Sequence, residues 1–154
     1  MEKKFMQLAI ELAVENVKNG GGPFGAVIVK DGDIIATGVN RVTSGCDPTA
    51  HAEVSAIRAA CGKLHTFSLE GCEIYSSCEP CPMCLGAIYW AHITRLYYGC
   101  NKEDAAKAGF DDAFIYKELS LSPQERSMKT EILLPEEARR AFEAWEVNDE
   151  RIDY

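Results

Sequence analysis

The sequence predicts an α/β layered fold, and three observations carry that prediction. Two short β-branched runs, residues 24–30 and 34–40, flank Asp31-Gly32-Asp33, the pattern of a hairpin turning at Asp-Gly. Beyond it, strand-like and helix-like segments alternate, which builds a sheet with helices packed on it, mostly parallel with one antiparallel pair. Finally, the 154 residues are 47% apolar, enough for one full hydrophobic core, so residues 1–154 are expected to form a single domain.

Taken in order, residues 3–19 form the first helix, because Phe5, Ala9, Leu12, Ala13 and Val17 recur at helical spacing. Gly20-Gly21-Gly22 ends it by supplying residues free to take positive φ. Both strands of the hairpin are apolar enough to be central. Residues 41–49, rich in Thr, Ser, Gly, Asp and Pro, read as a loop, with Asp47 or Thr49 placed to cap a helix that begins near His51. Residues 72–78 read as a strand and Glu79-Pro80 as a turn. Pro82 then opens a helix running to about residue 91, since its missing N–H costs nothing at a first helical position. Residues 94–99 are expected as a strand, 103–108 as a short helix and 128–134 as a weak strand. Pro135 opens a last helix, 136–147, that packs through Phe142 and Trp145. The segment Cys84, Leu85, Ala87, Ile88, Tyr89, Trp90, Ala91 leaves its helix almost no polar face. Such a helix belongs either in the centre of the core or between the core and a second subunit.

Composition narrows the partners. With 16 Lys and Arg against 24 Asp and Glu, the net charge of −8 argues against the basic surface that nucleic-acid binding rests on. The start, Met1-Glu2-Lys3-Lys4-Phe5, leads into an amphipathic pattern containing Glu11 and Glu15 rather than a signal-peptide core. The longest uncharged run, 80–94, is too short and interrupted to span a bilayer. A cytoplasmic protein with neither a nucleic-acid nor a membrane partner is therefore expected. Seven cysteines are an odd number, and reduced thiols plus a metal site fit them better than disulfides do. Cys46, Cys61, Cys72, Cys78 and Cys100 read as packing or surface residues.

The remaining two, Cys81 and Cys84, stand three residues apart in Pro80-Cys81-Pro82-Met83-Cys84. A CxxC pair opening a helix points both sulfurs at one spot, half of a tetrahedral metal site. His51 upstream is the natural third ligand, and three protein ligands leave a position open for water, which separates catalytic from structural zinc. Glu53, two residues on, is then the candidate base. Alone, a CxxC pair is as readily a redox pair, but a thioredoxin-like motif follows a first strand near the N-terminus, whereas this one lies mid-chain. Together, HxE followed by PCxxC is the signature of the zinc nucleobase deaminases.

On Asp47-Pro48-Thr49-Ala50-His51-Ala52-Glu53, Ser77-Cys78-Glu79-Pro80-Cys81-Pro82-Met83-Cys84 and Ala108-Gly109-Phe110-Asp111-Asp112, the chain resembles the cytidine-deaminase-like superfamily. Within it, Gly22-Pro23-Phe24-Gly25-Ala26, Ile88-Tyr89-Trp90-Ala91, residues 114–118 and the terminal Tyr154 resemble the bacterial guanine deaminases. The likeness runs nearly end to end and is loosest over residues 131–140. It implies a three-layer α/β/α fold with a mixed five-stranded sheet, one zinc ion on His51, Cys81 and Cys84, a purine substrate, and a homodimer that exchanges C-terminal segments. It also implies that Asn40 hydrogen-bonds the purine, that Phe24 and Trp90 line or close its pocket, that Asp112 binds substrate or handles protons beside Glu53, and that Tyr154 reaches the site. On the residues alone other roles stand open. Phe24 and Trp90 equally suit core aromatics, Asp111-Asp112 a solvated turn or cap, and Asn40 a side chain satisfying loop backbone. A tRNA adenosine deaminase shares the zinc motif but needs a basic RNA face, and a non-catalytic zinc module has no use for Glu53.

Overall fold

The computed structural model describes residues 2–154, which fall into two compact units, one ending at Ala113 and the other spanning Phe114–Tyr154. In the first, α1 (Lys3–Lys18) leads into β1 (Gly25–Lys30) and β2 (Asp33–Val39). They are joined by Asp31 (φ 52°) and Gly32 (φ 85°), a turn with both central residues left-handed, as a tight right-twisting hairpin requires. The short α2 (Val42–Gly45) follows, then α3 (Ala52–Leu64), β3 (Cys72–Cys78) and α4 (Pro82–Trp90). Last come β4 (Arg95–Cys100) and α5 (Lys102–Lys107).

The sheet order is β2-β1-β3-β4. β1 pairs antiparallel with both β2 and β3, and only β3 and β4 are parallel. Antiparallel pairing therefore dominates, contrary to the expectation from strand–helix alternation: β3 returns beside β1 in the opposite sense, and one helical crossover, α4, makes the single parallel pair. β2 is an edge strand rather than a central one. Among the described residues the sheet has four strands, not five. The apolar residues of 128–134 have no ladder to join, and Ile132 and Leu133 are 80% and 83% exposed.

β1 is buried on both faces. Ala26 and Ile28 face a core built with Ala52, Ala56, Ala60, Ile74 and Ile88 from the α3 and α4 side. Val27 and Val29 face Phe5, Ala9 and Tyr75 on the α1 side. The period of two along the strand thus makes a three-layer α/β/α unit. Two glycines set how closely the layers approach. A Cβ on Gly25 would run into the Ala9 carbonyl of α1, and one on Gly38 into the Ala52 carbonyl and Ala56 nitrogen of α3.

The second unit contains most of α6 (Ala113–Ser120), a helix the sequence pattern did not reveal. A 3-10 turn, Pro123–Glu125, and α7 (Pro135–Glu146) follow. No residue from Phe114 onward is buried, and the ring of Tyr154 meets Trp145 edge-on at 6.4 Å. Among the described residues no helix is long and apolar enough to cross a membrane.

Candidate active site

Two helix starts bring the metal-type residues together. His51 is the residue immediately before α3 and Cys81 the residue immediately before α4, both in extended backbone. Neither side chain is spent on capping its helix. Asp47 does not cap α3 either, against expectation. Its Oδ1 accepts instead from the N–H and hydroxyl of Thr49, at 2.8 and 2.7 Å, tightening the loop that delivers His51. Pro82 occupies the first turn of α4, so Cys84 falls one residue short of a full turn beyond Cys81 and faces the same point.

His51 Nδ1 lies 3.5 Å from the sulfur of Cys81 and 3.5 Å from that of Cys84, and all three donor atoms lie within 4.8 Å of one another. A tetrahedral zinc with bonds of about 2.0–2.1 Å to nitrogen and about 2.3 Å to sulfur separates N and S by about 3.5 Å. The residues present fit zinc. The positive ends of the α3 and α4 dipoles converge there and favour thiolate. Without metal the two sulfurs share a proton unequally. Cys81, taking hydrogen bonds from the Cys84 thiol and the His51 ring, is held well below an ordinary thiol, and Cys84, supplying the proton, well above. The hydrogen bond to Cys81 also raises His51.

Glu53 stands outside the ligand group, 6% exposed on the first turn of α3. Burial pushes its carboxyl up, partly offset by hydrogen bonds that include one from Ser76, whose hydroxyl donates to Glu53 Oε1 at 3.0 Å. A buried carboxyl poised to hold a proton is what general acid–base chemistry needs. Ser76 escaped the sequence reading. Its signal was a serine pair inside the central strand 72–78, where a buried hydroxyl must find a partner. Its neighbour Ser77 accepts from the Gly25 N–H at 3.0 Å.

The other candidates divide. Asn40 is 9% exposed, and its Oδ1 accepts from the Val42 N–H at 3.2 Å. Phe24 is half-buried, its ring edge-on to Phe110 at 5.0 Å. Phe24 also borders, with Ser77, Cys78, Cys100 and Phe110, an apolar groove of about 420 Å³ on the α1 side of the unit. That groove contains none of His51, Glu53, Cys81 or Cys84. Partial burial, with the charges of Cys81 and Glu79, raises Asp112, whereas Asp111 accepts from the Ala113 N–H at 2.9 Å and serves as a local cap. Glu79 ties that turn down, its N–H donating to Cys100 O at 2.8 Å and its Oε2 accepting from the Lys102 N–H at 3.0 Å. Trp90, at the end of α4, is 67% exposed, and Tyr154 is 71% exposed in the second unit.

Histidine and two cysteines at paired helix starts, with a buried glutamate beside them, define a zinc-dependent deaminase centre. The chain belongs to the cytidine and deoxycytidylate deaminase family, whose zinc-binding region matches residues 1–100. It is 55% identical over 142 residues to the guanine deaminase of Bacillus subtilis, covering 92% of this chain and 91% of that protein. The X-ray structure of guanine deaminase from Bacillus subtilis superposes with a TM-score of 0.97 at 51% identity, over 100% of this chain and 99% of that one. The structure of guanine deaminase from Nitrosomonas europaea matches 73% of this chain and 65% of its own, with a TM-score of 0.70 and 35% identity. The tRNA-specific adenosine deaminase of Aquifex aeolicus is 44% identical over 94 residues, 61% of this chain and 62% of its own length.

Proposed function

We propose that this protein is a zinc-dependent guanine deaminase, converting guanine and water to xanthine and ammonia. The observation that carries the reading is likeness to a guanine deaminase over the whole chain, second unit included. Likeness to the tRNA enzyme covers only 61% of the chain. A net charge of −8 also opposes a tRNA substrate.

His51, Cys81 and Cys84 would hold the zinc, which would supply there the Lewis acidity that brings the pKa of a water toward neutrality. Glu53 takes one proton from the attacking water as its oxygen bonds to C2 and passes it to the adjacent ring nitrogen; it then takes the second water proton, from the hydroxyl now on C2, and delivers it to the amine as the C2–N bond breaks and the C2 carbonyl forms. Atoms balance: the oxygen stays on C2 and the amine leaves as ammonia. Asn40 hydrogen-bonds the purine, Phe24 and Trp90 contact or close over it, and Asp112 assists in substrate binding or proton handling.

The working enzyme is a cytoplasmic homodimer in which both units form one deaminase domain and the C-terminal segment, ending in Tyr154, is exchanged between subunits. Two features favour a partner. The second unit has no buried residue, and Phe142, Trp145 and Ile152 lie 70%, 39% and 68% exposed, apolar side chains that a second copy would take out of water. Ammonia release from guanine, guanosine, cytosine, adenine and tRNA tests the assignment. Xanthine from guanine is the expected result, and inosine in tRNA without xanthine would replace it with the tRNA reading.

A further inference from the structure

We propose that Asn16, on α1, is a positioning residue for purine recognition: its carboxamide fixes the orientation in which Asn40 meets the substrate. This rests on the reading of Asn40 as a substrate contact. The Nδ2 group of Asn16 donates to the carbonyls of Gly22, at 2.8 Å, and Asn40, at 2.9 Å. Both hydrogens of one amide are thereby used to bind the glycine turn after α1 to the end of β2, a task that no hydroxyl or carboxylate at that place performs.

Asn40 is held from three further directions. Its N–H donates to the Phe24 carbonyl at 3.2 Å, so the backbones of two candidate substrate contacts are joined. Its Oδ1 accepts from Val42 N–H. With the oxygen so engaged, the NH2 end of the same amide is the group that this reading leaves to donate to the substrate. Gly22 packs bare against the carboxamide, where a Cβ would stand 3.0 Å from Asn40 Cγ and 3.2 Å from Oδ1. A Cβ on Gly21 would collide with the Asn16 carboxamide. Two of the three consecutive glycines are therefore glycine because two asparagine side chains occupy the space beside them. An asparagine that merely latched the end of α1 would contribute stability and leave affinity unchanged.

A double-mutant cycle on zinc-loaded protein separates these roles. Asn16→Ala, Asn40→Ala and the double variant are compared by KM and kcat for guanine and by calorimetric binding of 8-azaguanine, with melting temperature recorded beside them. Asn16→Ala is expected to raise KM and weaken analogue binding about tenfold with a smaller change in kcat. The double variant should be no worse than Asn40→Ala alone, because nothing is left for Asn16 to position. Gly22→Ala presses on the same carboxamide from the other side with both Asn16 hydrogen bonds retained, and should weaken the analogue as well, which serves if Asn16→Ala does not fold. A lower melting temperature with unchanged KM and analogue affinity, or losses that multiply in the double variant, would overturn the proposal. Wild-type inactivity toward guanine would sink the substrate assignment alone, and the cycle would then be read on whichever base of the panel is turned over.

Discussion

Replacing Glu53 by Gln removes the proton-carrying oxygen while keeping the side-chain shape, and the amide oxygen can still accept from the Ser76 hydroxyl. Turnover should fall by about 10²–10⁴, the usual worth of a general acid–base group, with one zinc per chain retained. Near-normal ammonia release at full zinc occupancy would remove Glu53 from the mechanism. The ligands make a second prediction. Zinc takes thiolates and a neutral imidazole, whereas in the metal-free cluster Cys84 keeps its proton and His51 holds one more readily than a free histidine. Metal capture must expel such protons, so affinity rises with pH and weakens on acidification. The slope is about tenfold per pH unit for each proton expelled. Competition with a chromophoric chelator between pH 5.5 and 8 measures it, and a flat profile would contradict the ligand set.

Among the elements, α3 is the one whose placement decides the chemistry, since His51 precedes it and Glu53 lies in its first turn. It lies on β2 only because Gly38 has no side chain, a Cβ there meeting the Ala52 carbonyl and the Ala56 nitrogen, both backbone atoms. Gly38→Ala should therefore displace the start of α3, costing about 1–3 kcal/mol in urea unfolding and weakening zinc together with it. Gly45→Ala, where an added Cβ meets nothing, should change stability by less than about 0.5 kcal/mol. Equal behaviour of the two variants would show that close packing at Gly38 does not position α3. The hydrophobic period that marked α1 in the sequence says nothing of this contact, because the absence of a side chain has no period.

For the whole molecule, the exposed apolar side chains of the second unit, Phe142 and Ile152 among them, make the proposed second copy of the chain the thing to test. If the exchanged segment reaches the site as proposed, deleting residues 148–154 should lower kcat/KM while leaving zinc content and the proposed dimer intact, and full activity in the truncated protein would show that this segment takes no part in the site. Coexpression of truncated chains with full-length Glu53→Gln chains should restore activity, because one chain keeps the glutamate and the other supplies the tail. Mixed dimers that remain inactive would mean the tail serves its own chain.

How far these features were legible varied with their physical origin. The metal-type cluster and its glutamate could be read directly, because Pro80, Pro82 and the CxxC spacing dictate local backbone, and two helix starts need only be brought together. A helix with a clear apolar period, such as α1, was legible from that period. The amino-acid sequence by itself thus determined which residues could bind zinc, and that a hairpin precedes helix-linked strands. Tertiary structure alone decided that β3 lies antiparallel to β1 and that β2 is an edge, since pairing partners are chosen by packing between distant segments. It alone decided, too, that residues 128–134 form no strand, as apolarity makes a strand only where a neighbour offers a ladder. Asn16, Ser76 and Glu79 were likewise visible only in three dimensions: each acts through a hydrogen bond to a residue far along the chain, and no local pattern encodes the partner.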